Sequence, residues 1–349
     1  MYGLVLALVS AMLFGAAAPA GKVLLADFTA LQLAGLLYLG AALGVAPVAT
    51  LDRPSTRPVD RTNRIRLAGA VVFGGIVGPA LLLCGLRLAG AGSVSLLLNF
   101  EMAATAVLGV ALFGEHLGQR GWLGVAGVVL AGGVLAWGSG WPGVIAALFV
   151  AGACVCWGVD NNLTALLDGM PPSLTTFWKG LIAGTTDLVL GLWLAPLTAS
   201  AFHVAMALVV GALCYGASIA LYITAAQHEG ATRTQAVFAT APFVGAVLSW
   251  LVLGEPLAAP YLLAAGLFIP SVALLLVDRH DHFHAHEPLA HVHSHRHDDG
   301  HHLHAHPGLT AAQRHSHWHE HEPLGHGHPH GSDLHHRHRQ RAPTPRDGD

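Results

Sequence analysis

A few ionisable and amide side chains stand inside stretches that are otherwise apolar. They are Glu101 with Asn99 beside it, the run Asp160-Asn161-Asn162, and Lys179 with Asp187. A charged group at the centre of a bilayer costs about 2.5–3.5 kcal/mol even on insertion scales, so such residues face a bundle interior or a wet cavity. The chemistry open to them is reversible binding of a proton, an ion or a polar solute. Glu101, Asn99, Asp160, Asn161 and Lys179 form the expected solute- and ion-coupling set, with Glu101 taking a proton or a cationic group of the cargo. Lys179 is the only lysine after Lys22. Its expected partner is Asp160 or Glu101, because an unpaired buried charge does not persist. The plainer alternative is structural, with an ion pair and polar contacts that only hold helices together. Asp187 is expected close enough to an interface to reach water. Glu115 and Glu255 lie at span ends, where terminating a helix and anchoring a loop account for them.

A second chemistry follows Val277. His280, His282, His284 and His286 alternate with other residues, as do His291, His293, His295 and His297. The pattern returns at His315, His317, His319 and His321 and again at His326, His328 and His330. In an extended chain residues i and i+2 project to one side. Neighbouring imidazoles can then share one ion, at Zn–N distances of about 2.0–2.1 Å. Imidazole suits Zn, Ni, Co and Cu alike, so the pattern encodes a divalent metal without naming it. The competing reading is a solvated spacer that turns cationic below about pH 6. With few apolar anchors the segment is expected to be disordered.

The elements that position these groups follow from composition. Residues 1–277 hold 20 of the 37 Asp, Glu, Lys and Arg residues, and 22 of 25 histidines lie beyond them. A soluble globule is roughly a quarter charged, so the first part needs a hydrocarbon solvent. The formal net charge of −3 offers nothing to a nucleic acid. Cys84, Cys154, Cys156 and Cys214 sit in apolar runs as small packing residues. Leu4 to Phe14 followed by Ala16-Ala17-Ala18 has the look of a secretory signal, but no basic stretch precedes it. It is expected to be a retained first span.

Apolar runs predict ten transmembrane helices near 3–21, 29–50, 67–88, 92–113, 121–138, 143–166, 174–195, 204–226, 233–253 and 260–277. Helices are expected because each satisfies its own backbone in lipid. Arg53, Arg57, Arg61, Arg64 and Arg66 make the loop after the second span cytoplasmic. Both termini are then cytoplasmic, in a multi-pass protein of the cell (inner or plasma) membrane. Five spans per half invert the second half relative to the first. Laying 80–123 on 220–263 without gaps gives eleven identities in 44 positions, including Ala106-Val107-Leu108 on Ala246-Val247-Leu248 and Gly114-Glu115 on Gly254-Glu255. The expected units are 1–140 and 141–277, each of five helices, and the tail 278–349. Inverted repeats mark secondary transporters, with the cargo site near the midplane between halves. Gly74/Gly78 and Gly180/Gly184 are expected to serve ordinary close packing rather than a specific dimer face.

The chain resembles the EamA type of the drug/metabolite transporter superfamily. The resemblance rests on Phe14-Gly15, Pro19 and Lys22, on the segment through Glu101 to Glu115, and on Thr232-Arg233-Thr234, Ala241-Pro242-Phe243 and Gly254-Glu255. It implies an all-α membrane protein of two inverted five-helix repeats that carries amino acids, nucleotide sugars, drugs or other metabolites. Spans 1–4 and 6–9 would form a basket around a cavity, with spans 5 and 10 outside and available for a homodimer. Where relatives often have Pro after the glutamate matching Glu101, this chain has Met102, so an uninterrupted fourth span is expected.

No Gly-rich nucleotide loop and no Ser/His/Asp or Cys/His set is present, which argues against a pump motor or an enzyme. No cofactor is required. The leading expectation is a secondary carrier of a small metabolite or drug-like solute working by alternating access. The alternatives are an exporter of a divalent metal or metal complex and a membrane-anchored metal buffer.

Overall fold

The computed structural model describes residues 2–51, 60–113, 117–167, 170–229 and 231–277, with four short stretches of the tail. Nine described helices are long and apolar enough to cross a membrane. They are α1 (Tyr2–Leu24), α2 (Ala30–Leu51), α3 (Arg61–Leu88), α4 (Ala91–Leu112), α5 (Gln119–Gly138), α6 (Gly140–Ala165), α8 (Ala201–Ala226), α9 (Arg233–Leu253) and α10 (Ala259–Val277). Between α6 and α8 runs α7 (Pro172–Leu194), which is as long. It is less apolar because Lys179, Asp187 and the pairs Thr175-Thr176 and Thr185-Thr186 interrupt its leucines. Most of these helices are apolar on every side, as expected where lipid replaces water.

Every one of the first four helices packs on helices from beyond residue 140. α1 lies on α8 and α9, α2 on α7 and α8, α3 on α6, and α4 on α6 and α9. α5 and α10 pack chiefly on each other, with Gly124 against Ser271 and Leu275. Glycine makes the close crossings possible. A Cβ on Gly180 or Gly184 would run into the α2 backbone at Tyr38–Ala42 and Gly35–Leu39, so this Gly-x-x-x-Gly pair serves an internal seam. Ser10 and Ser218, both fully buried, each donate to the other's carbonyl oxygen, at 2.7 and 2.9 Å, and tie α1 to α8. Trp137, Trp141 and Trp193 stay largely exposed near the ends of α5, α6 and α7.

Several helices are irregular. α3 and α8 each contain seven residues of π-helix, Val71–Val77 and Gly211–Ala217, at positions 140 residues apart. α4 is interrupted at Leu98–Asn99, which corrects the expectation of an unbroken fourth span. No proline is needed there. Asn99 Nδ2 donates to Leu96 O (2.7 Å), and the backbone tightens through Asn99 N→Leu96 O and Glu101 N→Leu98 O. A side chain that bonds nearby backbone competes with the helix ladder. α9 breaks in the same manner at Ala239–Thr240, ahead of Pro242.

Opposite charges hold opposite helix ends across the Ala89–Gly90 turn. Lys22 Nζ donates to Leu86 O and Ala89 O at the end of α3 (2.6 and 2.8 Å). The Glu255 carboxylate accepts from Ala91 N and Gly92 N at the start of α4 (2.6 and 2.9 Å). A carboxylate there satisfies otherwise unpaired amides and the helix dipole. Glu255→Ala should therefore cost about 1 kcal/mol, the worth of an N-terminal cap, read as a lower melting temperature of the purified protein.

In the tail, β1 (His280–Ala285) pairs antiparallel with β4 (Gly325–His330), and β2 (Leu289–His295) with β3 (His315–His321). The His-x-His period of two is the period of a strand. The register pairs His282 with His328 and His284 with His326 in one sheet, and His291 with His319 and His293 with His317 in the other. His286 and His297 lie outside the described residues, as do Arg53, Arg57, Glu115 and His116.

Candidate functional site

The π-helical stretch of α3 creates an unpaired acceptor. In the π pattern Gly78 N bonds to Phe73 O, so Gly74 O would look to residue 79, which is Pro79 and has no N–H. Two side chains from other helices fill the place. Tyr38 OH on α2 donates to Gly74 O at 2.6 Å, and Trp157 Nε1 on α6 donates to it at 3.0 Å. Gly74 also leaves room on its other side. A Cβ there would strike the carboxylate of Asp160.

Asp160 is 4% exposed and holds two donors. Lys179 Nζ on α7 reaches its Oδ2 at 2.6 Å, and Thr164 Oγ1 reaches its Oδ1 at 3.0 Å. The next residue on α6, Asn161, turns to α4. Its Nδ2 donates to Glu101 Oε1 (3.0 Å) and to Thr105 Oγ1 (3.1 Å). Asn162 Nδ2 bonds Thr105 O and Gly158 O, locking α6 to α4. Four of the five sequence-predicted residues thus meet as two pairs, Asp160–Lys179 and Glu101–Asn161, joined through adjacent positions of α6. Asn99 stands apart from both pairs. It is 2% exposed at the α4 break, and its Oδ1 has no partner among the described residues.

Sequence reasoning missed the aromatic groups around this cluster. Tyr38 stacks near Tyr215 (ring centroids 6.1 Å apart), Tyr215 near Phe14 (5.8 Å), Phe14 near Phe238 (5.1 Å) and Phe238 near Tyr222 (5.1 Å). The rings come from α1, α2, α8 and α9, and each is half-buried. At its Tyr38 end this arc joins the polar cluster through Gly74 O. Such a surface can stack an aromatic or apolar body and present a carboxylate or an ammonium to its polar end. The available signal was the spacing of aromatics among small residues, which does not say that four helices converge. Asp187, expected near water, is instead wholly buried.

Comparison with known proteins completes the picture. The model of the EamA-like transporter family matches residues 1–137 and 144–277. An uncharacterized transporter of Methanothermobacter thermautotrophicus is 22% identical over 276 residues, covering 73% of this chain and 80% of that one. A protein of known crystal structure superposes with a TM-score of 0.56 at 15% identity, over 78% of this chain and 96% of that one, a likeness of fold alone. With the helical bundle matched almost from end to end, this chain is a member of the EamA-like transporter family.

Proposed function

We propose that the chain is a secondary carrier of a small metabolite or drug-like solute, moved by alternating access between two inverted five-helix units, 1–140 and 141–277. α7 is the tenth span on this reading, and both termini are cytoplasmic. The observation that carries it is the site that bridges the two units. An arc of aromatic rings from α1, α2, α8 and α9 meets the Asp160–Lys179 pair at the π-helical turn of α3, and the Glu101–Asn161 pair joins it through the adjacent position of α6. The solute body lies along the rings, and Glu101 takes its cationic group or a proton. Two π-helical stretches 140 residues apart support a shared hinge design, since such bulges gather at functional sites. Arg66 Nη1 on Leu166 O (2.7 Å) puts the basic start of α3 and the end of α6 on one face, in keeping with the cytoplasmic assignment.

The test is uptake into proteoliposomes of a panel of amino acids, nucleosides and cationic dyes. At least one solute should accumulate, and Glu101→Gln should slow its flux by about tenfold or more, the worth of one charge-assisted hydrogen bond. A Glu101→Gln protein that transports at the wild-type rate throughout the neutral pH range removes Glu101 from the mechanism. The tail is proposed as a separate cytoplasmic binder of Zn, Ni, Co or Cu. A chain ending at Val277 should keep its solute flux and lose metal binding in equilibrium dialysis. Loss of both would join the tail to transport and favour a metal-complex exporter.

A further inference from the structure

Asp187 is completely shielded from solvent, and neither of its carboxylate oxygens has a hydrogen-bond partner among the described residues. Its neighbours along α7 fix its place. Gly184 lies against Leu39 and Gly35 of α2, Gly191 against Gln32 of α2, and Ala183 against Gly75 of α3. Asp187 therefore sits where α2, α3 and α7 meet. The groups that face this junction are all occupied or uncharged. From α2, Gln32 Nε2 donates to Gly191 O and Ala195 O (3.3 and 2.9 Å), and the Tyr38 hydroxyl is committed to Gly74 O. α3 carries no charged residue between Arg66 and Arg87, and Cys84 is its one titratable group there. α8 offers Cys214 and Tyr215, whose ring stacks near Tyr38. On α7 itself, Lys179 is held by Asp160 about 12 Å away along the helix axis.

An ionised carboxylate with no partner is too costly to keep in such a place. A hard metal ion would need several oxygen ligands, and glycine, alanine and leucine side chains supply none. A proton needs no other ligand. We propose that Asp187 is a buried proton-binding site, loaded in this conformation and distinct from both the Asp160–Lys179 pair and Glu101. As part of a transport cycle it rests on the carrier reading above, with proton release following when α2 and α7 separate. As a binding site it stands without that reading.

Infrared titration of the full-length protein in lipid nanodiscs tests it with no solute present. The readout is the carbonyl stretch of a protonated carboxyl group that accepts no hydrogen bond. One such band is expected at neutral pH, lost in Asp187→Asn and retained in Asp160→Asn and Glu101→Gln. Aspartate isotope-labelled at the carboxyl should shift the band and labelled glutamate should not, an assignment that does not depend on any variant folding. A wild-type spectrum without the band, or a band that survives Asp187→Asn or follows the glutamate label, overturns the proposal. Asparagine mimics the neutral acid, so Asp187→Asn should melt with the wild type. A large loss of melting temperature in that variant would mean an ionised aspartate and would count against it equally.

Discussion

Lys179→Met is expected to destabilise the protein by about 3–5 kcal/mol, because it leaves the Asp160 carboxylate buried without its counter-charge. Asp160 is 4% exposed, and among the described residues its other oxygen has only the Thr164 hydroxyl to lean on. The pair itself need not be strongly stabilising, since the cost of desolvating two charges offsets most of their attraction. What matters is the asymmetry between removing one partner and removing both. Asp160→Asn combined with Lys179→Met should recover most of the lost stability, as a double-mutant cycle on thermal or steric-trap unfolding would reveal. A single variant as stable as wild type would mean that water or lipid headgroups reach the carboxylate. Transport should follow a different pattern. If the pair contacts solute, the double variant would be stable and still inactive, which separates its structural role from its functional one.

Much of the architecture was legible because lipid imposes so few solutions. A bilayer span must be long, apolar and helical, so nine of the expected runs fall on described helices long and apolar enough to span, as 92–113 does on Ala91–Leu112. The meeting of Glu101 with Asn161 and of Asp160 with Lys179 was legible for the same reason, since a charged or amide group in such a run has few explanations. Lys179 found Asp160, one of the two partners expected for it.

What escaped the sequence depends on pairing across long separations or on exceptions to regular geometry. Nothing local says that Pro79 releases the carbonyl of Gly74, because that inference needs the π-helical register first. The fourth span was expected unbroken because Met102 stands where relatives often have proline, while Asn99 supplied a side-chain route to the break. Asp187 was placed by its distance from a span end. Its burial comes from α2, which lies more than 130 residues earlier in the chain and closes over it.

Gly40→Leu and Gly211→Leu should each be more damaging than any polar substitution in the site, whereas Gly133→Leu should be harmless. A Cβ on Gly40 would meet Leu208 O and Gly211 Cα, and one on Gly211 would meet Leu37 O, so α2 and α8 touch backbone to backbone. Overpacking a core costs about 1–3 kcal/mol when side chains can yield, and more where the obstacle is main chain that cannot move without displacing a helix. Without a hydrophobic drive between helices in lipid, close packing of this kind is what holds them together. Gly133 on α5 has open space at its Cβ position and sits on an exposed face, so a leucine there meets only lipid. Thermal denaturation of the three purified variants decides the matter. The α2–α8 seam also joins helices from either side of residue 140, so a variant that survives folding should still fail to transport. If instead Gly40→Leu melts with Gly133→Leu, the two helices stand further apart than described, and the aromatic arc from Tyr38 to Tyr215 opens with them.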